Sequence, residues 1–304
     1  MMTQRLPLIT NYRSLQTIFR LNASSEALDT LYKQASTGNR LNSAVDDISG
    51  FAISKTLQAQ IKATDRSAEN IQDANNLLSV TEGAISTMGD ALQRVRELLV
   101  QGASDTSDTN ARTAILKEVR GLLDSIDNQA ASVRFNGLAL LDGSLTGASA
   151  TAQIGIYSNT SSKVDLSTAF QSMNTTTLGV VNGPNAGAII PNLNAVFNPT
   201  TQTTALTTNA NFLSFMGDID VAIDRVNARR STIGAFQSQL NAALSMQQGQ
   251  SINFSDTEAR IRSADVAELS TQLSMQQLVQ QSALQVLQQN NEFPQRILQL
   301  LQQG

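Results

Sequence analysis

Leu57, Thr64, Ile71, Leu78, Ile85, Leu92 and Leu99 stand seven residues apart, with Ala74, Thr81, Met88 and Val95 at the intermediate position. The ladder lies in a chain with no proline between Pro7 and Pro184, so nothing there forces a helix to break. Seven such positions, with Thr64 the one polar exception, predict a helix of roughly 45 residues, on the order of 65 Å at ~1.5 Å per residue. Helices in globular cores typically run about 8 to 20 residues, so the ladder points to an extended bundle. Gly83 and Gly89 each cost about 1 kcal/mol relative to Ala inside a helix, and the expectation is that a neighbour approaches closely at both. Gly102 and the polar run Ser104 to Asn110 end the helix. Ile115, Val119, Leu122, Leu123 and Ile126 then form a shorter antiparallel return.

Helical patterning resumes near Phe212, with Phe215, Ile219, Ala222, Ile223, Val226, Ile233, Phe236, Leu240 and Leu244 spaced three and four apart. The last segment puts Leu269, Leu273, Gln276, Gln280, Ala283 and Leu287 on one stripe. Phe293-Pro294 is expected to interrupt it before a final turn of Ile297, Leu298, Leu300 and Leu301. Leu15, Ile18, Leu21, Leu28 and Leu31 pattern the N-terminal arm in the same way, so the two ends can pair as a two-helix unit. Glutamine-rich faces suit packing among identical copies, because amides bond neighbours without a fixed sign whereas repeated like charges repel. A merely solvated helix face is the competing reading.

The middle of the chain differs. Asn136-Gly137 and Asp142-Gly143 favour the positive φ of tight turns and open a β-rich segment. Ala152 to Tyr157 and Lys163 to Leu166 are predicted strands joined by a turn at Ser158 to Ser162. No charged residue occurs from Leu166 to Gly217, and three of the five prolines fall between Phe170 and Asn211, which reads as a loop-rich outer insertion.

Composition excludes several functions. There is no Cys and no His among 304 residues, which removes disulfides, thiolate metal sites and the commonest general base at neutral pH. Phosphate-cradling Gly-rich loops and Ser/His/Asp sets are also missing, so the chain is not expected to be an enzyme and needs no cofactor or metal. A formal charge of −4 without a basic patch argues against nucleic acid. No stretch nears the ~18 apolar residues of a membrane span, so no membrane insertion is expected. Leu6 to Ile9, interrupted by Pro7, is too short for the apolar region of a secretory signal, so export would not involve a cleaved signal peptide. Asp46-Asp47 is not read as a metal pair, because adjacent acids do not share a helix face and no His supports them. A helix-start or junction role fits better.

The run Ala35-Ser36-Thr37-Gly38-Asn39-Arg40-Leu41-Asn42-Ser43-Ala44-Val45-Asp46-Asp47-Ile48-Ser49-Gly50 resembles the N-terminal signature of bacterial flagellins. Leu92 to Leu98 (Leu-Gln-Arg-Val-Arg-Glu-Leu), Arg134-Phe135-Asn136-Gly137, Ala259 to Asp265 and Phe293 to Leu301 are similar to further flagellin segments, in the same order. The resemblance implies a mainly α, elongated antiparallel helical bundle with coiled-coil terminal helices, one β-hairpin region and a small loop-rich outer insertion. Residues 1–46 with 262–304 would form the terminal coiled-coil domain, 47–165 with 212–261 the bundle with its hairpin, and 166–211 the insertion.

By the same resemblance the chain is expected to be a structural subunit that polymerises into the helical flagellar filament for swimming motility. It would be secreted by type III export and lie outside the cell. Its partners would be itself, the export apparatus and a chaperone, the hook-associated junction and cap proteins, and Toll-like receptor 5. Leu15, Ile18, Leu21, Leu28, Leu31, Leu269, Leu273, Leu284, Leu287, Ile297 and Leu298 are the expected subunit-assembly residues. Arg94, Leu98 and Glu118 match receptor-recognition positions, with inter-subunit packing as the alternative reading. The hook-filament junction protein shares parts of these motifs and is the structural rival, and a coiled-coil adaptor is the non-filament alternative.

Overall fold

The computed structural model describes residues 9–145, 150–180 and 208–302. Five helices account for most of them: α1 Ile9–Thr37, α2 Ile48–Ala103, α3 Thr109–Ser132, α4 Asn209–Arg262 and α5 Val266–Gln302. Two compact units result, a central one of residues 62–251 and a terminal one of residues 1–61 with 252–304. Both boundaries fall inside α2 and α4, because each helix is continuous through them.

In the central unit the ladder on α2 is the core. Thr64, Ile71, Leu78, Ile85, Leu92 and Leu99 are all fully buried, as are Thr81, Met88 and Val95 between them. Thr81 is tolerated there because its hydroxyl donates to the Leu77 carbonyl at 2.8 Å, so no polar group is left bare. On α4 a matching seven-residue series, Phe212, Ile219, Val226, Ile233 and Leu240, is buried as well and ends at Gln247. Gln247 Nε2 donates to the Ile154 carbonyl at 2.6 Å. Ile115, Leu116, Val119, Leu123, Ile126 and Ala130 bring α3 into the same core.

Helix ends follow from their caps. Asp108 accepts from the Ala111 N–H at 2.7 Å and starts α3. Arg112 from α3 donates back to the carbonyls of Gly102 and Ser104, each at 3.0 Å, closing the end of α2. At 56 residues α2 exceeds the roughly 45 expected, because the apolar ladder carries no information about where a polar first turn begins.

The glycine expectation holds only in part. A Cβ on Gly89 would meet Val226 Cγ1 at 3.4 Å, but one on Gly83 would meet nothing within 4 Å. The close approach is instead at Gly102, where a Cβ would collide with the Phe212 ring. Gly83→Ala should therefore raise the stability of the monomer by about 0.5–1 kcal/mol through helix propensity. A denaturant titration that shows no gain would rule this out.

The single β region expected is two separate two-stranded antiparallel hairpins. In the first, β1 Arg134–Phe135 pairs β2 Leu138–Ala139. Asn136 (φ 48°) and Gly137 (φ 82°) make its turn, the double positive φ that Asn-Gly favours. In the second, β3 Thr151–Gln153 pairs β4 Lys163–Asp165. The strand expected to reach Tyr157 stops early. Gln153 Nε2 donates to the Gly155 and Tyr157 carbonyls, and the N–H groups of Ile154 and Gly155 both donate to Ser162 O. Those local bonds turn the chain before the ladder can extend.

Of the expected outer insertion, residues 181–207 lie outside the described residues. Residues 166–180 belong to the core: Leu166, Ala169, Phe170, Met173, Leu178 and Val180 are buried in it. Asp127 of α3 anchors this segment, accepting from the Thr175 N–H at 2.7 Å and its hydroxyl at 2.9 Å. An absence of charge was a poor guide here, since a charge-free stretch suits a core as well as a loop.

The helix α5 also passes through Pro294, where an interruption was expected. Proline takes away the bond that the Asn290 carbonyl would have accepted, and the helix continues beyond that gap.

Candidate assembly surface

The terminal unit is built on a junction where the chain passes from α1 to α2 and from α4 to α5. Gly38 takes φ 68° after α1, a C-terminal position that favours glycine. From there the chain pairs with the α4–α5 connection. Arg40 N donates to Arg262 O at 2.7 Å, Ala264 N donates to Gly38 O at 3.0 Å, and the Arg40 guanidinium donates to Ile261 O at 3.0 Å. The paired acids do local work. Asp46 Oδ2 accepts from the N–H groups of Asn42 and Ser43 at 2.9 and 2.8 Å, and Asp47 accepts from Gly50 N at 3.0 Å as the cap of α2. Asp265 caps α5 in the same manner through Ala267 N at 2.9 Å. The signature run around Gly38 to Gly50 is thus a turn whose polar side chains replace missing backbone partners.

Just beyond the junction, Glu258 collects three donors on Oε1: Gln58 at 2.8 Å, Ser54 at 3.1 Å and Arg262 at 3.3 Å. Burial alone would raise its pKa, but the bonds from Gln58, Ser54 and Arg262 outweigh that and hold it below the ordinary glutamate range. A carboxylate with a depressed folded pKa stabilises fully above its unfolded value and loses that contribution as pH falls through the folded one. The junction should therefore loosen as pH drops below about 4.5, and Glu258→Gln should flatten this part of the acid dependence. Hydrogen exchange at the amides of Gln58 and Glu258 across pH 3 to 6 would read the effect. An unchanged acid profile in Glu258→Gln would refute it.

Antiparallel to each other, α1 and α5 form a pair along their length. On α5 the stripe Leu269, Leu273, Gln276, Gln280, Ala283 and Leu287 is the buried or half-buried face. Its glutamines are matched across the seam: Gln276 donates to Ser24 Oγ at 3.0 Å and Gln280 to Ser25 Oγ at 3.3 Å. Nearer the ends, Asn290 Nδ2 donates to Thr17 Oγ1 and Ser14 Oγ to Asn291 Oδ1, each at 3.4 Å. Leu21, Leu28 and Leu31 face this seam from α1, and Leu28 is buried.

The expected assembly residues therefore divide into two sets. Leu21, Leu28, Leu31, Leu269, Leu273 and Leu287 serve the intrachain seam, whereas Leu15, Ile18 and Leu284 are exposed at 53%, 41% and 45%. The side chains of Ile297 and Leu298 lie outside the described residues. Sequence reading missed a second apolar stripe on α5, Met275, Leu278, Val279 and Val286, together with Tyr12 and Phe19 on α1, all exposed. Their three- and four-residue spacing was available, but only the pairing shows which of two stripes on one helix is already covered. Among the described residues of this unit the buried hydrophobic side chains are Leu28, Leu41 and Leu269. So thin a core, with large apolar residues outside it, defines a class of protein whose helices complete their burial against other chains.

Arg94, Leu98 and Glu118 come together on α2 and α3 of the central unit, but not as equals. Arg94 bridges Glu97 and Glu118 at 3.1 Å each, with all three side chains at least half exposed. Leu98 is only 3% exposed and packs in the core. It therefore offers no side-chain surface to a receptor or a neighbouring copy, since α2 packs through the ladder beside it. Among the described residues no cluster of three or more acids could hold a metal, and no helix is long and apolar enough to cross a membrane.

Comparison with known proteins agrees with this geometry. Residues 8–146 match the bacterial flagellin N-terminal helical region, and residues 216–301 the bacterial flagellin C-terminal helical region. The chain belongs to the bacterial flagellin family. It is 30% identical to a flagellin of Bacillus subtilis, the match covering 96% of this chain and 98% of the relative. It is 29% identical to flagellin FlaB1 of Treponema pallidum over 88% of this chain and 90% of the relative. A solved structure of a flagellar hook-associated protein from Vibrio parahaemolyticus shares the fold, with a TM-score of 0.54 at 16% identity, over 72% of this chain and all of that one.

Proposed function

We propose that this structural protein polymerises into the flagellar filament by burying the outward apolar faces of the α1–α5 pair against neighbouring copies. The observation that carries the reading is the pairing of a sparsely buried terminal unit with exposed Leu15, Ile18, Phe19, Met275, Leu278 and Leu284. One copy cannot cover these side chains with its own described residues. Contacts that repeat head to tail without closing a ring extend as a helix, which is the geometry of a filament. Supporting the same reading, the exposed side of α5 carries amides such as Gln277, Gln281, Gln285 and Gln288 in place of charges, which limits like-charge repulsion where many copies stack.

The experiment is seeded growth. Purified chain added to sheared filaments should extend them in negative-stain electron microscopy, while residues 9–45 and 262–302 of the free monomer exchange their amide hydrogens fast. Compact oligomers with protected ends would favour an adaptor, and growth limited to short caps would favour a junction protein.

On this reading the subunit is exported unfolded through a type III apparatus, with a chaperone shielding the apolar ends, and works outside the cell between junction and cap proteins. Export would leave the N-terminus uncleaved. Recognition by Toll-like receptor 5 would then rest on Arg94 and Glu118, with Leu98 holding α2 in place beneath them. Arg94→Ala should weaken receptor activation by the monomer about tenfold while leaving the thermal midpoint within a degree or two, as for an exposed ion pair. Equal activation by wild type and variant would exclude this role.

A further inference from the structure

The segment 166–180 meets α4 at a cavity of about 370 Å³ lined by Gln171, Ser172, Thr177, Arg225, Arg229 and Thr232. Arg225 and Arg229 lie one turn apart, so both guanidinium groups reach the same side. Arg229 falls in the register of Phe215, Ala222 and Phe236, at a position where this helix otherwise carries core residues, and it is half-buried. Neither cation is neutralised by a carboxylate among the described residues. Arg225 donates to the Thr177 carbonyl at 2.8 Å, while Arg229 donates to Gln171 Oε1 at 2.7 Å and to the Thr168 carbonyl. All three acceptors are uncharged.

The segment that packs on α4 here cannot supply the missing charge, and Asp224, beside Arg225 on α4, forms no ion pair with either arginine. Leu166 to Gly217 contains no acidic residue, which covers the whole segment leading into α4. Asp127, which also holds this segment, is occupied by Thr175. Arg229 Nε and Ser172 Oγ are buried with no hydrogen-bond partner, so the region is rich in donors and short of acceptors. Desolvation lowers the pKa of the Arg229 guanidinium, an electrostatic cost that a nearby anion would relieve. Paired guanidinium groups with a hydroxyl beside them match the oxygens of a carboxylate, phosphate or sulfate through charge-assisted bonds.

We propose that the cavity between residues 171–177 and α4 is an oxyanion site in which Arg225 and Arg229 bind an anion supplied from outside the chain. Two sources share that chemistry, a free inorganic oxyanion and an acidic side chain of a second copy. The anion would hold segment 166–180 against α4 by neutralising the two cations that already grip its carbonyls. The lining lies within one copy, so binding of a free oxyanion does not depend on the assembly reading, whereas binding of a second copy's carboxylate rests on it.

The test uses full-length monomer at neutral pH, with phosphate titrated against chloride at constant ionic strength. Thermal midpoint and the arginine Nε–H resonances in nitrogen-15 NMR are followed. A free oxyanion is indicated if phosphate raises the midpoint and moves the Arg229 resonance, with affinity at least about tenfold weaker in Arg225→Gln, the loss expected for one charge-assisted bond. Thr232→Glu, which places a carboxylate three residues from Arg229, should abolish the response without unfolding the helix. A carboxylate from a second copy is indicated if phosphate has no effect on the monomer but both variants raise the critical concentration for polymerisation at least about tenfold, with unchanged monomer midpoints. If phosphate has no effect and both variants polymerise like a wild type that forms normal filaments, the site does not exist although the filament reading stands.

Discussion

Leu284→Asp should raise the critical concentration for filament growth at least about a hundredfold while leaving the monomer soluble and folded. Leu284 is 45% exposed on α5, at the edge of the seam stripe and not among the buried core residues, so the substitution removes little from the core of a single copy. In a filament the same side chain would be covered by a neighbour. Losing a buried leucine costs about 1.5–3 kcal/mol, and placing an unpaired carboxylate in the same apolar contact costs several more. At about 1.4 kcal/mol per tenfold, the sum exceeds a hundredfold. The thermal midpoint of the monomer should hold, since surface changes away from special features stay within about ±0.5 kcal/mol. Sedimentation of polymer after seeding measures the first quantity and circular dichroism the second. Leu287→Asp should also block growth but should loosen the α1–α5 pair too, because Leu287 lies on the seam. Normal filaments from Leu284→Asp would remove the proposed role of that face.

Gly102→Ala should destabilise the central unit by about 2 kcal/mol, although alanine is the better helix former. The new Cβ would fall within the ring of Phe212, which is 2% exposed at the start of α4 and close-packed. Overpacking of this kind costs about 1–3 kcal/mol or more, and the propensity gain of about 1 kcal/mol offsets only part of it. For a unit of this size the midpoint should fall by about 4–8 °C. A second change, Phe212→Leu, should recover part of the loss by making room. A midpoint that stays put or rises would mean that the ring moves aside at no cost, and the tight contact between the end of α2 and α4 would lose its structural meaning. The contrast with Gly83→Ala is informative, since two glycines on one helix are expected to change stability in opposite directions.

Different parts of this architecture were legible to different degrees. The seven-residue ladder on α2 was readable because burial repeats with the helix: every position from Thr64 to Leu99 is inside, including the polar one. Asn136-Gly137 announced its turn because few other pairs accept positive φ twice in succession. The seam stripe on α5 was also correct, down to its two glutamines. Gln276 and Gln280 revealed their purpose only when Ser24 and Ser25 were placed opposite them. Segment 166–180 misled, because composition cannot distinguish an apolar loop on the surface from one pressed into a core. Leu98 misled in a different way, since a matching motif says nothing about which side chains face out.

What the sequence determined by itself is the helical period, the caps and the turns, all of which depend on residues within a few positions of one another. Membership of the flagellin family also follows from ordered local motifs at both ends. The tertiary structure decided which of two apolar stripes on a helix is already covered, which glycine is crowded, and that Arg225 and Arg229 share a cavity with no carboxylate among the described residues. Those outcomes depend on distances between residues tens or hundreds of positions apart. Hydrophobic patterning shows that a face must be buried, but only the neighbouring helix shows against what.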